Sequence, residues 1–96
     1  MKINVQSIKF DADAKLLEFT EKKLSKLDKF FDPIISVDVK FSLLSDNENK
    51  NVRVNVSVPG NSVVVERNAN SFETAINECA DILKEKLTRL KEKRND

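Results

Sequence analysis

The sequence predicts an α+β domain of order β-α-β-β-β-α, a four-stranded mixed sheet with two helices packed on one face. Three observations predict it. Two stretches repeat apolar residues at helical spacing, four alternate apolar with polar residues at strand spacing, and turn formers separate them. The 96 residues form a single domain, 1–96, because so short a chain cannot divide its apolar side chains between two cores.

Lys2 to Ile8 alternates, with Ile3 and Val5 on one side and Asn4 and Gln6 on the other, which is a half-buried strand. Asp11 or Asp13 caps the helix that follows. From Ala14, its apolar positions Leu16, Thr20, Leu24, Leu27 and Phe31 lie three or four apart, and Leu17 widens that stripe into a core-facing side. Pro33 stops it, since the residue before a proline is pushed out of the helical region.

Ser36 to Leu44 alternates again, with Val37, Val39, Phe41 and Leu43 on one face. A polar connector, Asp46 to Asn51, leads into Val52, Val54, Val56 and Val58, the third strand of a hairpin. Pro59-Gly60-Asn61 is a second turn signal, and Val63 to Glu66 forms the fourth strand. Opposite the valines stand Arg53, Asn55, Ser57 and Glu66, so one face of the sheet is wet. Asn70 or Ser71 caps the final helix, whose stripe is Phe72, Ile76, Cys79, Ala80, Leu83, Leu87 and Leu90. A helical connection makes the first two strands parallel, and the last three form an antiparallel meander.

Several function classes drop out. With no histidine and one cysteine there is no zinc ligand set and no internal disulfide, which fits a reducing, cytoplasmic setting. No run approaches the ~20 apolar residues of a membrane span, and Met1-Lys2 leads directly into a strand pattern rather than an export signal. Neither a glycine-rich phosphate loop nor a nucleophile motif is present, so no catalytic residue, cofactor, metal or small-molecule substrate is expected. Asp11 and Asp13 read as caps, and Cys79 as a small core hydrophobe.

The lysines carry more information. At 100° per residue, Lys15, Lys22, Lys26 and Lys29 fall opposite the core stripe of the first helix, with Lys23, Phe19 and Phe30 along one border and Glu18, Glu21 and Asp28 along the other. In the second helix Lys86, Arg89 and Lys93 line one border of the stripe and Lys84 and Lys91 the other, while Glu78, Asp81, Glu85 and Glu92 form the outward ridge. A solvated surface with weak intrahelical ion pairs is the plain alternative for such faces. The net charge of +1 does not favour nucleic acid by itself. If the helices lie side by side, however, their seam concentrates positive charge and grips phosphates without reading base sequence.

Phe10-Asp11-Ala12-Asp13, then Leu17, Phe19 and the run Lys22-Lys23-Leu24-Ser25-Lys26-Leu27-Asp28-Lys29-Phe30-Phe31, then Phe72 to Asn77, Leu83, Leu87 and Lys91-Glu92-Lys93, resemble the ribosome hibernation promoting factor family. Its members are also called ribosome-associated inhibitors or sigma-factor modulation proteins. The likeness runs over essentially the whole chain, and the lysine-leucine run is its most specific block. It implies a bacterial, cytoplasmic protein on the small ribosomal subunit, in the channel of messenger and transfer RNA, blocking translation in starved or stationary cells. A second hibernation factor is a further partner it allows.

The resemblance implies ribosomal RNA contacts at Lys23, Lys26 and Lys29 in the first helix and at Arg89, Lys91 and Lys93 in the second. Charge placement adds Lys22, Lys84, Lys86 and Arg94. Family members commonly carry aspartate where Asn77 stands, a basic residue at Ile82 or Glu85, and a glycine-and-basic pattern in place of Gln6-Ser7-Ile8-Lys9. The middle of the second helix therefore offers fewer phosphate partners here. Ending at Asp96, the chain resembles the short form of the family. Two other classes suit the same residues: a protein-interaction module using the open sheet face or the helix pair, and a stand-alone double-stranded RNA binder.

Overall fold

The computed structural model describes residues 1–45 and 49–94, with every side chain in that range except that of Arg94. Much of the polar connector, at 46–48, therefore lies outside the described residues. The elements run β1 (Lys2–Ser7), α1 (Ala14–Leu24), a 3-10 segment (Ser25–Lys29), β2 (Ser36–Leu43), β3 (Lys50–Val58), β4 (Asn61–Ala69) and α2 (Phe72–Arg94). They form one sheet in the order β1-β2-β3-β4, with β1 parallel to β2 and the remaining pairs antiparallel. This is the expected β-α-β-β-β-α topology.

Register converts the alternating patterns into rows. Val5, Val39, Val54 and Val65 stand side by side across the sheet on the helix-facing side, and Ile3, Val37, Val56 and Val63 make the next row. Both helices cover these rows and close a single core in which Val37, Phe41, Val52, Val54 and Val56 are fully buried. Phe72, at the start of α2, stacks on Phe10 at 5.1 Å between ring centroids and tilts against Phe41 at 5.0 Å. Those contacts join the loop after β1, the middle of the sheet and α2. No helix among the described residues is long and apolar enough to cross a membrane.

The caps form as the sequence suggests. Asp13 takes the first helix, its Oδ1 accepting from the Leu16 N–H at 2.8 Å, and Ser71 takes the second, its Oγ accepting from the Thr74 N–H at 3.1 Å. Gly60 has φ +76°, the conformation that the second central position of a Pro-Gly turn requires.

Three expectations are corrected. Leu17 does not widen the core face: it is 39% exposed, because the buried stripe of α1 is narrow, comprising Leu16, Thr20 and Leu24. The first helix does not keep α geometry up to Pro33 but ends at Leu24 and tightens into the 3-10 segment. β4 is longer than Val63 to Glu66, since it pairs with β3 along its whole length from Asn61 to Ala69. Backbone pairing extends that strand through Arg67 and Asn68, whose polar side chains hide it from apolar periodicity.

Candidate nucleic-acid interface

The lysine-rich arm rests on an anchored backbone. Leu24 and Leu27 are both fully buried, and the buried Thr20 hydroxyl donates to the Leu16 carbonyl at 2.8 Å. At Ser25 the helix tightens, with the Ser25 hydroxyl donating to the Lys22 carbonyl at 3.1 Å. Side chains three apart nearly eclipse in a 3-10 segment, so Lys26 and Lys29 stack into one exposed ridge while Leu27 points inward. The straight row of Lys15, Lys22, Lys26 and Lys29 required α geometry throughout, and the change at Ser25 bends it.

Lys22, Lys26 and Lys29 are exposed, whereas Lys23 is half-buried with its Nζ 5.6 Å from the centroid of the Phe19 ring. Among the described residues no carboxylate forms an ion pair with any of these four lysines.

The basic residues of α2 divide into two groups. Lys84 faces the end of the 3-10 segment, its Nζ 5.8 Å from the Phe30 ring centroid and 4.0 Å from Asp81 Oδ1, and Lys91 continues that border two turns on. Lys86, Arg89 and Lys93 lie on the opposite flank, where with Ser62, Val63, Val64 and Leu90 they line a groove of about 280 Å³ along β4. The expected concentration of all these charges in one seam between the helices is therefore not what forms. α2 lies over β3 and β4, so one flank meets the first helical arm and the other overhangs the sheet edge. The side chain of Arg94 lies outside the described residues.

Arg89 is paired with Glu85, one turn earlier on α2, and Arg67 of β4 with Glu78 at 2.9 Å. Both pairs are exposed enough to contribute little stability. Asn77 is exposed and Ile82 half-buried, so the middle of α2 presents no cation at either position.

Sequence patterning missed a cationic pair on the open sheet face. Lys40 and Arg53 stand directly opposite each other on β2 and β3, between Gln6 and Glu66, beside a depression of about 190 Å³. Alternation placed Arg53 on the wet face, but only strand register brings Lys40 against it.

Cys79 is fully buried, and burial pushes its thiol up to about 12, with the Arg67 charge opposing that shift in part. A thiol so protonated is a packing group. Among the described residues no cluster of three or more His, Cys, Asp or Glu side chains is arranged to hold a metal.

Residues 3–95 match the family model described as Sigma 54 modulation protein / S30EA ribosomal protein. The chain is 32% identical over 77 residues to the ribosome hibernation promotion factor of Deinococcus radiodurans, an alignment covering 77% of this chain and 40% of that protein. It is 29% identical over 93 residues to the ribosome hibernation promoting factor of Azotobacter vinelandii, covering 97% of this chain and 85% of that one. Among solved structures, a ribosomal subunit interface protein from Coxiella burnetii superimposes with a TM-score of 0.85 at 24% identity, over 95% of this chain and 98% of that one. The N-terminal domain of Thermus thermophilus Protein Y gives 0.83 at 25% identity, over 94% and 99%. With the family match running nearly end to end over the fold and basic arm described above, the chain belongs to the Sigma 54 modulation protein / S30EA ribosomal protein family.

Proposed function

We propose that this chain is a ribosome-associated hibernation factor that binds without catalysis. Its relatives' names support the ribosome as partner. In the finer reading, the small subunit holds the protein through ribosomal RNA phosphates, and the bound domain blocks the channel of messenger and transfer RNA during starvation or stationary phase in the bacterial cytoplasm. The observation that carries the phosphate reading is the row Lys22, Lys23, Lys26 and Lys29, without carboxylate partners among the described residues and seated on the buried Leu24 and Leu27. A core-anchored row of unneutralised ammonium groups suits a fixed polyanion better than a solvated face. Lys84 and Lys91 extend it on α2, whereas Lys86, Arg89 and Lys93 lie on the opposite flank of that helix and are not part of this surface.

Co-sedimentation with isolated small subunits over a salt series tests this. Affinity falls steeply with salt, and the log–log slope is shallower by about 0.7–0.9 for each phosphate contact removed. The variant K23A/K26A/K29A binds at least tenfold more weakly and shows the shallower slope. Salt-independent binding, or a triple variant that pellets like the parent chain, rejects the assignment.

A further inference from the structure

β4 is an edge strand. Among the described residues β3 is its one sheet neighbour, and its other side carries backbone groups that no strand pairs. Along this edge half-buried Val63 and Leu90 and a rim of exposed Lys86, Arg89 and Lys93 line a groove on the helix side, and exposed Val64 lies on the open face of the sheet. Lys86 and Lys93 have no carboxylate partner among the described residues. A strand edge beside such a groove is a template for an added strand.

The occupant follows from charge and floor. A second copy pairing β4 to β4 would set two basic rims against each other. RNA would leave the unpaired strand edge and the exposed Val64 unused, and no aromatic ring lines the groove to stack a base. We propose that β4 and this flank of α2 bind an extended acidic peptide segment of a partner protein, which adds to the sheet as a fifth strand. Its carboxylates occupy alternate positions on the helix side, and the residues between them face the side of Val64. Lys86 to Lys93 spans about 10 Å along the helix at 1.5 Å per residue. Alternate strand residues lie about 6.7 Å apart, so two or three carboxylates cover the rim. This site is distinct from the lysine arm on α1 and does not depend on it.

The probe is a ten-residue peptide alternating Glu and Val, acetylated and amidated, titrated into isotopically labelled protein and followed by NMR and amide hydrogen exchange. The expected result is shift changes confined to 61–66 and 86–93, with slowed exchange at alternate amides of β4. The variant K86E/R89E/K93E weakens binding at least tenfold and prefers the corresponding Lys-Val peptide, while K23A/K26A/K29A binds the Glu-Val peptide unchanged. Absence of exchange protection in β4 at millimolar peptide overturns the proposal on the unaltered protein alone. So does a charge-reversed variant that still prefers the Glu peptide. A decauridylate that perturbs the same β4 amides at lower concentration assigns the groove to nucleic acid instead and overturns it too.

Discussion

Lys84 Nζ stands 5.8 Å from the centroid of the Phe30 ring, linking the middle of α2 to the residue that closes the 3-10 segment. Phe30 is itself held by its N–H donating to the Leu27 carbonyl at 2.9 Å, and its ring packs against the core. The contact fixes the border of α2 that lies nearest the lysine arm. A double-mutant cycle with Lys84→Met and Phe30→Leu, measured by urea unfolding, is expected to show a coupling of about 0.5–1 kcal/mol. A coupling indistinguishable from zero would mean that cation and ring are merely neighbours.

Phe72 is the joint between three parts of the fold, touching Phe10 in the loop after β1 and Phe41 in β2 from the first residue of α2. Phe72→Ala is expected to cost about 3–5 kcal/mol, a large share of the stability of a domain this small. Phe72→Leu keeps most of the packing volume and costs less. Urea midpoints with unchanged slopes check both values, whereas a changed slope would show that the domain no longer unfolds as one unit.

Cys79 makes stability depend on alkaline pH. Its thiol is pushed from the ordinary 9.0 to about 12 by burial, so between those values the unfolded chain loses a proton that the folded chain keeps. This contribution is complete below pH 9 and is lost as pH rises towards 12, by up to about 1.4 kcal/mol per unit. Compared with Cys79→Ala, the parent chain should therefore lose its advantage progressively over that window. At pH 8, iodoacetamide should label the native thiol at least about 1,000-fold more slowly than the urea-unfolded one, since reaction waits for opening. Rapid native labelling would contradict the burial.

The legible part of the candidate site was the part built from neighbours in sequence. Lys26 and Lys29 recur three residues apart beside Leu24 and Leu27, and that spacing places their ammonium groups and the core anchors on different sides in either helical geometry, with Lys23 on the border between them. The caps were legible as pairs of candidates, Asp11 or Asp13 and Asn70 or Ser71, since a cap bonds within three residues of itself, and the structure selects Asp13 and Ser71. The tightening at Ser25 was less visible, because a serine hydroxyl donating to the carbonyl three residues earlier leaves no mark on apolar periodicity.

The sequence by itself determined the order of the elements, which face of each is apolar, and the presence of two basic borders on the second helix. These are local properties, set by side-chain period along one strand or helix. Only the tertiary structure decided that Lys84 looks towards Phe30 while Lys86, Arg89 and Lys93 overhang β4, that Lys40 meets Arg53, and that Leu17 stays exposed. Periodicity says that a face is buried but not against what. The position of α2 over β3 and β4 is set by Phe72, Ile76, Leu83 and Leu87 packing with distant valines, and that packing separates one expected groove into two surfaces.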